Sequence, residues 1–213
     1  MINLLFTALG ETLFMVIVST FFATLLGTGL GILLHITKPG QIMPCKKTHL
    51  LLETILNIGR SIPFIILLVA IIPLTRFLVG TSIGTVAAIV PLTLGTIPFT
   101  ARLIAGVLIE IPPGLIDMAN ALGLTTYQIV TKILIPESLP GIINSTIVTM
   151  LTLVNYSAMA GAIGGGGLGD IAIRYGYQRF DTTVMVVTVL ILVLLVQFIQ
   201  SAGNLLVQQC DHR

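Results

Sequence analysis

The segment GGGGLGD, Gly164–Asp170, contains the G-x-G-x-x-G spacing that lets backbone amides wrap a dinucleotide pyrophosphate. That chemistry needs a strand before the glycines and a βαβ unit around them, and the sequence offers neither. The six glycines from Gly161 to Gly169 read instead as a flexible turn. Such a turn is either a plain connector or a segment that dips back toward a membrane. No G-x-x-x-x-G-K-[ST] occurs, so a phosphate-cradling loop is not expected and ATP hydrolysis would need a partner. His35, His49 and His212 lack metal-ligand spacing, and no base accompanies the many Ser and Thr hydroxyls. No catalytic or metal-binding residue is therefore assigned. Cys45 and Cys210 lie far apart in sequence; one disulfide is open to them, and two reduced thiols are the expectation.

Residue types and spacing point to a functional role in two remaining places, the polar stretch Asp117–Gly141 and the segment Tyr156–Met159. What positions them follows from composition. Of 213 residues, 55% are hydrophobic and 8% charged, with a mean hydropathy of +1.08. Soluble domains carry about 25% charged residues. Too little charge remains to cover a wet surface, which makes this an integral membrane protein bathed in lipid. The net charge of +2, without a basic block, gives no reason to expect nucleic acid. Glu11 stands where a secretory signal would carry a base, so the first apolar run is expected to stay.

Crossing the hydrocarbon core takes about 20 mostly apolar residues. Five segments meet this: 12–34, 55–74, 82–101, 139–159 and 183–202. The expected fold is all-α, with residues 1–11 as a short outer segment, 12–206 as the membrane domain and 207–213 as a cytoplasmic tail. Arg60 falls near the inner end of the second span, where it is able to snorkel, and Arg102 directly follows the third. Pro63, Pro91 and Pro98 predict kinks, serving either bundle packing or a wall that bends. Gly27 and Gly31 form a G-x-x-x-G that admits a close helix neighbour, in the same chain or another.

Five spans put the termini on opposite faces. Lys38, Lys46, Lys47, Arg102, Lys132 and Arg213 collect on one face, and Arg76, Arg174 and Arg179 on the other. Positive charge favours the cytoplasm, so the N-terminus is expected outside and the stretch 117–141 inside.

That stretch, within a loop of about 112–137, is punctuated like folded structure. Pro112 and Pro113 suit the start of a helix, in which Asp117 is expected early, near the positive end of the dipole. Gly123 suits a left-handed C-terminal cap. Thr125 and Gln128 make a T-x-x-Q capping box for a second helix, expected to stop at Pro136. Pro140–Gly141 forms a further breaker pair. Met118, Leu122, Ile129 and Ile133 exceed what a solvated connector needs, and pack on the bundle or into another protein. With only Lys132 as a base, a protein partner is favoured over lipid headgroups.

The pattern D-M-A-x-A-x-G, with an I-x-I-P whose proline lies thirteen residues after its glycine, resembles the coupling loop of ABC importer permeases. The family pattern E-A-A, three residues, G, nine residues, I-x-L-P falls on Asp117, Met118, Ala119, Gly123, Ile133, Ile135 and Pro136, with Ala121 between. Asp117 replaces the usual Glu and Met118 the usual Ala. NIGRSIPFIILLVAIIPLTRFLVGTSIG, AAIVPLTLGTIPFTARL and YSAMAGAIGGGGLGDIAIRYGY are similar to permease subunits of bacterial methionine ABC importers, and the likeness runs from about Glu11 to Gly203.

The resemblance implies a type I importer permease fold with a cytoplasmic coupling helix pair. It further implies an inner-membrane homodimer on two cytoplasmic ATPase subunits that bind ATP and Mg, fed by a substrate-binding lipoprotein. Within YSAM, Met159 beside Ala158 and Ala160 reads as an apolar gate, with Tyr156 and Ser157 along the pathway. The alternative is that Met159 packs in the bundle and Tyr156 anchors at the interface. Among importers, a permease for another amino acid or small solute is the alternative to methionine, and two other classes compete with an importer subunit. One is a self-sufficient secondary transporter, disfavoured by the odd span count and the lack of buried acids; the other is a scaffold recruiting a cytoplasmic protein.

Overall fold

A computed structural model describes residues 2–210; His212 and Arg213 lie outside them. Among the described residues every regular element is helical. Four helices are long and apolar enough to cross a membrane: α1 (Ile2–Ile36), α5 (Thr85–Ile109), the run Thr126–Gly161, and α10 (Thr182–Cys210). α1, the run 126–161 and α10 extend past both boundaries expected from hydropathy and α5 past its second, because charge and polarity mark where lipid ends, not where a helix ends. Arg102 accordingly lies inside α5 rather than just beyond it.

The second expected span is not one helix. Residues 46–61 form α2 (Lys46–Ser61), and 64–70 form α3 (Phe64–Ala70), bent by 99° from it. Pro63 forces its predecessor out of the helical region, and Ile62 sits at φ −81°, ψ 121°. A third piece, α4 (Ile72–Val79), starts with Pro73 in its first turn and ends at Gly80. Pro91 and Pro98, by contrast, lie within an uninterrupted α5.

The G-x-x-x-G of α1 finds its neighbour in the same chain. A Cβ on Gly27 would lie 2.7 Å from Thr100 Cβ, and one on Gly31 2.7 Å from the Ala101 carbonyl oxygen. Bare backbone here lets α1 and α5 lie against each other along much of their length. Around this pair, Met15, Val16, Leu92, Leu153 and Val154 are fully or nearly fully buried and form the main core. Thr100 and Thr149 share a buried hydroxyl contact of 3.1 Å between α5 and the following long helix.

The two ends of the bundle carry different charge. At one end, Arg102 meets Glu53 at 3.5 Å, and His49 Nδ1 lies 3.0 Å from the Leu34 carbonyl oxygen. Lys38, Lys46 and Lys47 flank the same turn. At the other end, Glu11 and the start of α5 approach the glycine turn, where the Gly84 N–H donates to the Gly164 carbonyl at 2.9 Å.

Candidate functional site

Residues 112–137 do not hang from the bundle as two separate short helices. α6 (Pro113–Ala121) is followed by a corner and then by α7 (Thr126–Ile129), which continues through a π-helical turn (Val130–Leu134) into α8 (Ile135–Gly161). The expected stop at Pro136 is overturned. Pro136 occupies the first turn of α8, and the hydrogen-bond ladder widens just before it, where a proline has no N–H to return. Pro140 and Gly141 do not break α8 either; Gly141 gives room for Val107 of α5. From Thr126 onward the stretch is thus continuous with a membrane-length helix.

The corner is built from two capping devices in succession. Gly123 takes φ +70°, its N–H donates to the Asn120 carbonyl at 3.0 Å, and the Leu124 N–H donates to the Ala119 carbonyl at 3.1 Å. These two bonds are the Schellman pair that satisfies the end of α6. The Thr125 N–H then donates to Gln128 Oε1 at 2.9 Å, while the Gln128 N–H donates to Thr125 Oγ1 at 3.3 Å, completing the reciprocal box.

Leu124 and Ile129 flank this box at the positions of a hydrophobic staple, and both join the apolar cluster beneath. That staple decides which residues face outward. Ala119 and Leu134 are fully buried and Ile129 nearly so, packed with Ile32, Ile36, Ile104 and Leu108, and Ile133 is half-buried. Of the four apolar residues noted in the sequence, Ile129 and Ile133 serve the bundle, whereas Met118 and Leu122 are exposed, Leu122 by 70%. Tyr127, 77% exposed, joins them, a residue that its type alone does not single out. The staple register carries that signal, since Ile129 inward places Tyr127 outward. Asp117, Ala121, Gly123 and Pro136 are also exposed. Asp117 is in the second turn of α6, not the first, so its charge stands free of the helix start. The result is a set of exposed residues, Asp117, Met118, Ala121, Leu122 and Tyr127, on a helical handle whose other side is packed on the bundle.

At the opposite end the glycine turn is ordered by contacts. Glu11 Oε2 accepts from the Gly167 N–H at 2.7 Å, and Thr12 Oγ1 accepts from the Leu168 N–H at 2.9 Å. Leu168 and Ile171 of α9 (Gly167–Ile171) are buried, so of the two readings of the glycine turn the chain folds back against α1 and α8 rather than running on as a plain connector. A second π-helical turn, Ala172–Tyr177, leads on to α10.

The three pathway candidates stand in the last turns of α8. Tyr156 stacks on Phe64 of α3, with centroids 4.2 Å apart and planes 5° from parallel. Ser157 is buried and donates to the Val154 carbonyl at 2.7 Å. Met159 is 36% exposed. Tyr156 and Phe64 therefore tie α8 to the piece of chain that follows the 99° bend.

A profile of the family described as "Binding-protein-dependent transport system inner membrane component" matches residues 27–210. The chain is 54% identical over 211 residues to a probable D-methionine transport system permease protein of Vibrio cholerae, covering 99% of this chain and 94% of the relative. It is 53% identical over 161 residues to the D-methionine transport system permease protein of Escherichia coli K12, covering 76% and 74%. A solved structure described as an inward-facing conformation of the MetNI methionine ABC transporter superposes with a TM-score of 0.98 at 51% identity, over 100% of this chain and 98% of that one. An amino acid ABC transporter crystallised with histidines shares the fold, with a TM-score of 0.79 at 17% identity over 97% of this chain and 94% of that one.

Proposed function

The chain belongs to the binding-protein-dependent transport system inner membrane components, and from that premise we propose that it is the permease subunit of an ATP-driven methionine importer. It works as a homodimer on two ATPase subunits that bind ATP and Mg, and a substrate-binding lipoprotein delivers the cargo. The N-terminus lies outside and the α6–α7 corner inside, where Lys38, Lys46, Lys47, Arg102 and Lys132 gather.

The observation that carries this reading is the handle itself. Its outward face has apolar Met118, Leu122 and Tyr127 beside the acid Asp117, while its inward face is stapled into the bundle. A load applied to Leu122 passes through the continuous run Thr126–Gly161 to Tyr156 and Met159 at the far end. ATP-driven closure of the ATPase pair then displaces the handle, and the bundle exchanges inward and outward openings. Met159 closes the pathway as an apolar gate between turnovers.

The test is uptake of labelled methionine into proteoliposomes holding this chain, its ATPase and its binding protein. ATP-dependent accumulation is expected, together with its loss in a Leu122→Asp variant that still inserts. Accumulation without ATP, or an unaltered Leu122→Asp transporter, would refute the reading.

A further inference from the structure

We propose that Arg60 anchors the carboxylate of the transported solute, in a cavity opened where α2 breaks from α3. The proposal rests on the importer reading above and names the side chain that holds the cargo partway across.

Depth comes first. The 25 residues of α5 span about 37 Å at 1.5 Å per residue. A Cβ on Gly59 would lie 2.7 Å from Cγ of Pro98, next to the middle of that helix. Arg60 therefore stands level with Pro98, about one helical turn to the membrane side of the Arg102–Glu53 pair. Its side chain is exposed on the surface of the chain, and among the described residues it makes no ion pair and no hydrogen bond. Glu53, the nearest acid in sequence, is engaged by Arg102 at 3.5 Å and His49 at 3.8 Å. A guanidinium on the membrane side of that charged pair is costly to leave against lipid, and the cavity it lines offers room for an anion instead.

That cavity measures about 150 Å³ and is lined by Gly59, Arg60, Phe64, Gly95, Phe99 and Tyr156, from four helices. The stacked Phe64–Tyr156 pair makes one rigid wall, and Phe64 is only 6% exposed. The last turn of α2 ends beside it, and the bend leaves those carbonyls without intrahelical donors, as acceptors for an ammonium. A fixed cation, free carbonyls and an aromatic wall suit a small amino acid with an apolar or thioether tail, since sulfur packs well against aromatic edges. The competing role for Arg60 is to offset the negative end of the α2 dipole, a role a lysine fills equally well. A bidentate carboxylate anchor distinguishes the two bases.

The experiment measures methionine uptake per ATP hydrolysed by the complete reconstituted complex. Arg60→Gln is expected to lower that ratio roughly ten- to a hundred-fold, the loss of one charge-assisted contact, with the ATPase rate retained. Arg60→Lys should fall between. Arg76→Gln, at an arginine bonded to Ser82, should match wild type. An unchanged ratio in Arg60→Gln overturns the proposal, as does full equivalence of Arg60→Lys. Equal loss of uptake and ATPase activity also overturns it, marking a structural role. Should Arg60→Gln fail to assemble, Arg60→Lys decides by the same ratio. If the wild-type complex hydrolyses ATP but accumulates no methionine, the importer reading fails. Retention of labelled small carboxylic acids by the solubilised complex then tests Arg60, reduced in Arg60→Gln if it is the anchor and equal to wild type if it is not.

Discussion

The carboxylate of Glu11 accepts the backbone N–H of Gly167 at 2.7 Å, joining residues 156 apart in sequence. It does so on a glycine at φ +76°, where a Cβ would lie 2.6 Å from Thr12 Oγ1. Glu11, together with Thr12, thus holds the glycine turn to α1. Removing it leaves the Gly167 amide without its partner, at a cost of about 1–3 kcal/mol. Glu11→Ala should lower the thermal unfolding temperature of the detergent-solubilised protein, and Glu11→Gln, which keeps a carbonyl acceptor, should lower it less. Equal unfolding temperatures for Glu11→Ala and wild type would show that the turn is held elsewhere.

The handle makes a second prediction. Gly123 sits at φ +70° with no side-chain obstacle within 4 Å, so the cost of a larger residue there is conformational alone. Gly123→Val should cost about 1–2 kcal/mol locally and re-aim α6. Because Gly123 is exposed and a side chain there meets nothing within 4 Å, membrane insertion should be normal while ATPase co-purification and uptake both fall. Thr125→Ala, which removes one half of the capping box, should act in the same direction through about 1 kcal/mol. Full uptake by Gly123→Val would mean that the corner need not keep its shape for coupling.

Local chemistry made much of this legible from sequence. The glycine cap, the T-x-x-Q box and four of the five apolar spans depend on neighbours a few residues away, and each is where those residues imply. What stayed hidden depends on partners distant in sequence. Hydropathy sees 55–74 as one greasy run; Pro63 predicts a kink there, but the full 99° bend places α2 and α3 separately against α5, which local sequence does not encode. Proline is equally ambiguous: Pro63 breaks a helix, while Pro91, Pro98 and Pro140 stay within helices whose neighbours compensate. The partner of Gly27 and Gly31 is Thr100–Ile104, 73 residues onward, and no periodicity in α1 encodes that. Tyr127 escapes a reading of composition for a different reason, since its outward position follows from the Leu124–Ile129 staple rather than from its own type.

Met159 supplies a third prediction. It is the 36%-exposed residue three positions beyond the Tyr156–Phe64 stack, flanked by half-buried Ala158 and buried Ala160. Met159→Ala removes the bulky flexible side chain with little consequence for packing, because that side chain is not enclosed. Proteoliposomes with the variant should leak small solutes faster, or hydrolyse more ATP per methionine moved. Unchanged leak and coupling would remove the gate assignment and leave Met159 as a packing residue.

Cys45 offers a way to fix orientation and a pH dependence together. It precedes α2, is exposed, and its Sγ lies 3.1 Å from Thr48 Oγ1. That hydrogen bond is the main cause pulling the thiol below its ordinary range. A lowered thiol pKa populates the thiolate from a lower pH upward, and the thiolate is the nucleophile. In a Cys210→Ser background, a membrane-impermeant maleimide should therefore label Cys45 at a pH lower than an unperturbed thiol needs. Thr48→Ala should shift the rate profile to higher pH, because the largest stabiliser of the thiolate is gone. With the corner inside the cell, labelling should occur in inverted vesicles and not in intact cells. Rapid labelling from the outside would invert the topology, place Leu122 and Tyr127 beyond the reach of any cytoplasmic ATPase, and end the importer assignment.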